Sequence, residues 1–306
     1  MKPIDRTSVY CLRFGAALAV AALVVALFAS AAARAQPAAQ TKARILALRY
    51  DVFIGGIYAF GFDTTLRVDS GGYVATTEGG TRGAVAQLFA WRSNMSSRGK
   101  LGALAPTPSG LAPARFDNVS EWQGKPKRTT LRFMGRGRYA VEHDPVEPAS
   151  TVPDPEEGVL PASLPAGAMD PVAASVAALS ASARDGACER RIPVFDGKRR
   201  YDLIVREGDG EVPLPPSNFS AYTGPALSCR IGIKRISGFS KRRNAHYWDE
   251  ASTNPPVIWG APLAPGMPLV PVRFMATINL GTMVVHLVHA ELSENGATRT
   301  IAALKR

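Results

Sequence analysis

Residues 44–80, "RILALRYDVFIGGIYAFGFDTTLRVDSGGYVATTEGG", hold three strand-length runs. Aromatic and β-branched residues fill them. Gly55-Gly56 separates the first two, and "DSGG" at 69–72 separates the second from the third. Such runs between glycine-rich breaks read as antiparallel hairpins. Alternation along the second run puts Tyr58, Phe60 and Phe62 on one face. Gly61 then lies opposite them, where another group can approach closely.

The pattern continues outward. "TRGAVAQLFAWR" (81–92) reads as a short helix with Val85, Leu88, Phe89 and Trp91 as its apolar positions, and "SNMSSRGKL" as a strand after it. Residues 102–114 are a Pro/Ala/Gly loop. "ARFDNVSEW" and "RTTLRFMG" then flank a turn at 123–127. Residues 143–168 are proline-rich and acidic, an insert unsuited to regular helix or sheet. "MDPVAASVAALSASAR" predicts the main helix, with Asp170 as N-cap and Pro171 in the first turn. Val172, Val176 and Leu179 form its apolar stripe, beside a surface of small alanines and serines.

Strands return in "RRIPVF", "KRRYDLIVRE", "LSCRIGIKRI", "PLVPVRFMATINL" and "TMVVHLVHAEL", with a proline-rich loop at 251–271. No solenoid or propeller repeat is present. The expected fold is mainly β: an antiparallel, strongly twisted sheet curling into an open or closed barrel, with one main helix packed on it. It spans 44–289 as a single domain, between a polar tether at 36–43 and a C-terminal segment at 290–306.

Residues 1–35 set the expected compartment. Lys2, Arg6 and Arg13 precede the apolar run "FGAALAVAALVVALFASAAA", and Ala33 and Ala35 flank Arg34 in a small-x-small cleavage pattern. That order predicts a secretory signal peptide cut after Ala35, rather than a retained membrane anchor, and a periplasmic protein. Cys11 leaves with the leader, so Cys188 and Cys229 remain. In an oxidising compartment two such cysteines are expected to form a disulfide. A metal or redox pair fits less well, because there is no C-x-x-C and no His or Cys at ligand spacing. The chain carries +11, of which the leader accounts for +3, leaving +8 on the mature protein. Such a surface favours anionic neighbours, and in an exported protein a membrane or glycan rather than nucleic acid.

Catalytic signals are weak. There is no G-x-S-x-G and no Walker loop, and the paired glycines read as turns. Glu121, Glu142, Asp202 and Asp249 are available as acids, with no motif to join them. His286 and His289, three apart on a strand, point to opposite faces, which argues against a two-histidine metal site. His143 and His246 lie at the linker edge and in a basic-aromatic loop. No catalytic residue, metal or cofactor is assigned. Phe53, Tyr58, Phe60, Phe62, Phe89 and Trp91 are candidates to line a cavity for an acyl chain or other apolar ligand, and otherwise they are simply core. Lys241, Arg242, Arg243, His246, Tyr247 and Trp248, in "KRRNAHYW", are candidates for contact with an anionic membrane surface or glycan, and otherwise they are a solvated loop.

In "CERRIPVFDGKRRYDL" (188–203), "DG" between two strand-like runs marks a hairpin. Arg200 and Asp202 share one face and can pair, while Arg199 lies on the other with Tyr201 and Leu203. The three basic residues diverge, which weakens an anion site there.

Several segments taken in order resemble a bacterial family known as domain of unknown function 3108. They include "RYDVFIGGIYAFGF", "LFAWRSNMSSRG", "ARFDNVSEWQGKPKRTTLRF", "MDPVAASVAAL", "CERRIPVFDGKRRYDL", "SCRIGIKRISGF" and "PVRFMATINLGTMVVHL", spanning about residues 44–289. The resemblance implies a Gram-negative bacterial source, periplasmic placement and pairing of Cys188 with Cys229. It implies no reaction, cofactor or catalytic residue. The expectation is a non-enzymatic envelope protein that binds a lipid-like or other apolar ligand in a curved sheet. The alternatives are an adaptor contacting other envelope proteins, and a hydrolase of envelope polymers that has no motif behind it.

Overall fold

The computed structural model describes residues 43–101, 110–144, 160–239, 249 and 251–304. The leader, most of the acidic insert and all six residues of the "KRRNAHYW" candidate lie outside them. Strands dominate, as the alternation along the chain requires. The first half is a meander of β1 (Arg44–Ile54), β2 (Ile57–Asp69), β3 (Gly72–Thr81), β4 (Trp91–Leu101), β5 (Leu111–Trp122), β6 (Lys125–Gly135) and β7 (Arg138–Asp144). The second half comprises β8 (Arg190–Phe195), β9 (Arg200–Leu214), β10 (Gly224–Ser237), β11 (Val257–Ala261), β12 (Val270–Ile278), β13 (Gly281–Glu294) and β14 (Ala297–Ala303). All fourteen form one antiparallel sheet in the order β7-β6-β5-β4-β3-β2-β1-β13-β12-β11-β10-β9-β8, with β14 added to β13. The two meanders therefore join where β1 pairs β13 along its whole length.

The sheet curls but does not close, and β7 and β8 are its edges. The end of the proline-rich stretch bridges them. Leu164 donates its N–H to Gly137 in the β6–β7 turn (2.8 Å), while Met169 and β8 exchange backbone bonds of 2.9 Å. Leu164 is buried with Phe116, Leu131 and Phe195, and Tyr139 packs edge-on to Phe195 at 4.9 Å. Leu164 is thus part of the core, and residues 160–168 are tied to both edges rather than forming a detached insert.

Among the described residues two helices accompany the sheet: α1 (Gly83–Leu88) and α2 (Pro171–Asp185). The first is shorter than the pattern over 81–92 predicts, because Thr81 ends β3 and Trp91 opens β4, and none of its residues is buried. The second starts as the sequence indicates. Asp170 caps it by accepting from Ala173 N–H at 2.9 Å, with Pro171 at its first turn. Gly186, at φ 66°, ends it in the left-handed conformation that glycine tolerates. Its buried face is Ala173, Ala174, Ala177, Ala178, Ala181 and Ser182, while Val172 and Val176 are only partly buried beside the core. Small side chains let the helix lie close to the concave sheet, in one buried cluster that also holds Leu46, Leu48, Tyr50, Met169 and Val194.

Two bulges change which face the aromatics and histidines occupy. In β2, Phe60 faces Val52 but Tyr58 faces Phe53, so Ala59 is an extra residue. Phe60 and Phe62 consequently point to the concave face, and Tyr58 joins Phe53 on the convex face, where its hydroxyl donates to Asp51 (3.2 Å). In β13, Leu287 faces Tyr50 and His289 faces Arg49, leaving Val288 extra. Both histidines therefore share the convex face with Arg49 and Asp51, against the expectation from odd spacing. A bulge adds one residue to one strand and inverts the alternation beyond it.

Three further elements differ from the reading of the sequence. The 251–271 loop contains β11, five residues between Pro256 and Pro262. The C-terminal segment begins as the end of β13 and returns as β14. The 123–127 turn is only Gln123-Gly124, at φ 50° and 76°, so Lys125 to Lys127 already belong to β6.

Candidate functional site

Along β9 the side chains of Arg199 (just ahead of the strand), Tyr201, Leu203 and Val205 point to the concave face, as alternation requires. On β10, Ile233 faces Leu203 and Ile231 faces Val205, and on β11 Ile258 faces Cys229. The opposite wall is the side of α2 that carries Ser175, Ala178, Leu179 and Ser182. Between helix and sheet lies a cavity of about 410 Å³, with Phe239, Gly260 and Leu269 completing its lining. Ligand sites in proteins are typically about 300–1,000 Å³.

The disulfide between Cys188 and Cys229, whose Cα atoms are 5.6 Å apart, contributes Cys229 to the cavity wall. Ala178 and Val205 bury it, with Ile192, Leu203, Leu227 and Ile258 around them. One end of the cavity is formed by Arg199 and Phe239. The Arg199 guanidinium lies 5.9 Å from the Phe239 ring, that of Arg235 lies 5.3 Å from it, and Tyr201 meets it edge-on at 6.2 Å. From Arg199 to Val205 is six residue steps, a length of about 20 Å at the usual rise of an extended strand.

The polar groups are held at the rim. Asp196 pairs with Arg199 at 2.8 Å and accepts from the Lys198 and Arg199 backbone N–H groups. Arg235 pairs with Asp249 at 2.8 Å. On the other face of the hairpin, Arg200 and Arg191 both reach Asp202, at 2.7 and 2.6 Å. Burial pushes the Asp202 carboxyl up, but the two guanidiniums outweigh it and hold it below the usual range. Burial alone raises the Tyr201 phenol strongly, with Asp196 adding to the shift, so it stays a neutral wall. The sequence reading of 198–203 holds: Arg200 and Asp202 pair, and Arg199 turns the other way.

None of the six aromatic candidates lines this cavity. Phe60, Phe62, Phe89 and Trp91 form a ring cluster on the concave side of β2 and β4, with centroids 5.7–6.5 Å apart. Trp122, absent from the candidates, extends it by stacking on Phe89 at 5.2 Å. Phe53 and Tyr58 lie on the convex face, where Phe53 and Phe219 flank His286 at 6.1 Å each. Burial lowers the His286 pKa, Arg273 lowers it further, and Asp51 partly restores it. His289 bonds Glu291 instead, at 2.9 Å. The four acids do not gather. Glu142 pairs with Arg132 and Asp249 with Arg235, Asp202 sits between two arginines, and Glu121 faces Arg92. Among the described residues no three His, Cys, Asp or Glu side chains are grouped to hold a metal ion.

The lining could be found in the sequence only indirectly. Leu203, Val205, Ile231 and Ile233 are visible as strand residues on one face, but not the space that the small α2 side chains leave opposite them.

No curated protein matches the chain. Among solved structures, it is similar to a β-barrel-like protein of domain of unknown function DUF1849 from Brucella abortus. The two are 12% identical, over 84% of this chain and 100% of that chain, with a TM-score of 0.46. Residues 49–288 match the model of a family described as protein of unknown function (DUF3108). That match runs from β1 to β13 and takes in the whole cavity, and the chain belongs to this family.

Proposed function

We propose that this protein is an exported, non-enzymatic protein of the bacterial envelope that holds one lipid-like chain between α2 and the β9–β11 wall. The observation that carries this reading is the cavity itself: lined mainly by apolar side chains, with Ser175 and Ser182 on its helix wall and Arg199 as its one charged lining residue, at one end. Burying a methylene is worth about 0.8 kcal/mol, so ten of them supply about 8 kcal/mol before the costs of ordering. The leader supports export, and protein recovered from the periplasm should begin at Gln36.

Leu203→Trp tests the cavity by filling it. The protein should bind the dye N-phenyl-1-naphthylamine and release it to dodecanol. Organic extraction of protein from the periplasm should yield a single-chain lipid. Leu203→Trp should weaken dye binding about tenfold or more while keeping a cooperative melt. If the parent protein takes up neither dye nor alcohol, and extraction yields nothing, the reading is wrong.

A further inference from the structure

The three most exposed large apolar side chains among the described residues are Leu88 (81%), Leu280 (76%) and Ile57 (61%). All three stand at the same end of the curled sheet. Leu280 is in the β12–β13 turn, Ile57 follows the β1–β2 turn, and Leu88 ends α1 between β3 and β4. Trp122, 51% exposed, follows at the β5–β6 turn. Contacts join these turns into one arc. Gly55 donates to Thr282 at 3.0 Å, Arg82 to Ala59 at 2.8 Å and Gln123 to Ala90 at 2.9 Å. The β8–β9 turn continues the arc, with Gly197 packed against Thr129 of β6. It leads to Arg199 and Phe239, the charged end of the cavity.

Scattered apolar residues on a surface need no explanation, but several grouped on one end do. The charge beside them selects the partner. Apart from the facing pair Arg92 and Glu121 and the rim pair Arg235 and Asp249, the described residues of this arc carry Arg82, Lys125, Lys127, Arg128, Lys198 and Arg199 against Asp51, Asp144 and Asp196. A protein partner would need matching pockets for side chains on four separate turns. A lipid surface needs none, since it accepts apolar tips and an indole at its interface and attracts the bases around them. We infer that this end of the sheet docks on an anionic lipid surface, with Leu280, Ile57, Leu88 and Trp122 entering the interface and the lysines and arginines meeting the headgroups. The surface is distinct from the cavity, and docking would turn the cavity's charged end toward the lipid.

The test is sedimentation with vesicles of phosphatidylcholine alone, or with about one-third phosphatidylglycerol. Protein beginning at Gln36 is used, so that the apolar leader cannot contribute; all fourteen strands lie in the compact unit that starts at Lys42. Binding should need the anionic lipid, which should raise partition by about fivefold per lysine or arginine engaged, and should weaken as salt is added. Tryptophan emission should shift to the blue on binding, and Trp122→Phe should remove most of that shift. Leu88→Asp with Leu280→Asp should lower partition about tenfold or more with the melt unchanged. Equal binding to both vesicle types, binding to neither, or an unaffected double variant would overturn the inference. Leu203→Trp should bind vesicles like the parent, so a failed cavity and a failed docking surface give different results.

Discussion

Replacing Cys188 and Cys229 together by alanine is expected to lower the stability of the protein by about 4 kcal/mol, the loop-closure value for this spacing. The bridge spans 41 residues of sequence and ties the exit of α2 to β10, across β9. Cutting it frees that whole loop in the unfolded chain. The native state loses as well, because the sulfur pair is buried with Ala178 and Val205 and Cys229 forms part of the cavity wall. The double substitution is the cleaner experiment, since a single one leaves a buried thiol facing a gap. A chain of this size should melt about 10 °C lower or more. Dye binding should weaken with it, because the wall of the cavity recedes at Cys229. Intact mass without reduction should be two hydrogens below the reduced value. A parent protein with two free thiols, or a double variant that melts within a degree or two of it, would show that the bridge does not hold this wall.

How much of this was legible depends on what each pattern measures. Period-two runs revealed eleven of the fourteen strands, missing β7, β11 and β14, and Asp170-Pro171 marked the start of α2, because those signals are local. Ala59 and Val288 were invisible as bulges. An extra residue is defined by the register of two strands, and counting along one strand cannot detect it. The apolar stripe of α2 pointed to Val172, Val176 and Leu179, whereas the alanines make the closest approach. A hydrophobicity count rewards large side chains, while packing a helix inside a curved sheet rewards small ones. β11 was hidden by the prolines around it, and Leu164 by the composition of the stretch it ends. The cavity is a property of the space between elements. Its strand residues could be named from the sequence, but the volume could not.

Asp170→Asn is expected to remove a pH dependence of stability that the parent protein shows between about pH 4 and 6. Asp170 is buried beneath the curled sheet, where it caps α2 and accepts a hydrogen bond from Ser97 at 2.7 Å, while Ser97 in turn contacts the Tyr73 hydroxyl at 3.1 Å. Burial raises its pKa to about 6, against the lowering effect of the Ala173 N–H and the Ser97 hydroxyl. In the unfolded chain it returns to an ordinary value near 3.8. Between those values the native state holds a proton that the unfolded state has released. Stability from this group is therefore fully present below about pH 4 and is lost as pH rises through about 6, by roughly 3 kcal/mol in all. Carboxylates held low by arginines, such as Asp117, change stability in the opposite direction, but below the ordinary carboxylate pKa and so under this window. The quantity to measure is the difference between parent and Asp170→Asn in urea midpoint at several pH values. It should change across that window and be flat above about pH 7. Asp170→Ala should be less stable than Asp170→Asn at every pH, by about 1–2 kcal/mol, because the alanine cannot cap the helix. A difference that stays constant from pH 4 to 7 would mean that Asp170 is ionised throughout, with the helix N-terminus and Ser97 compensating for its burial.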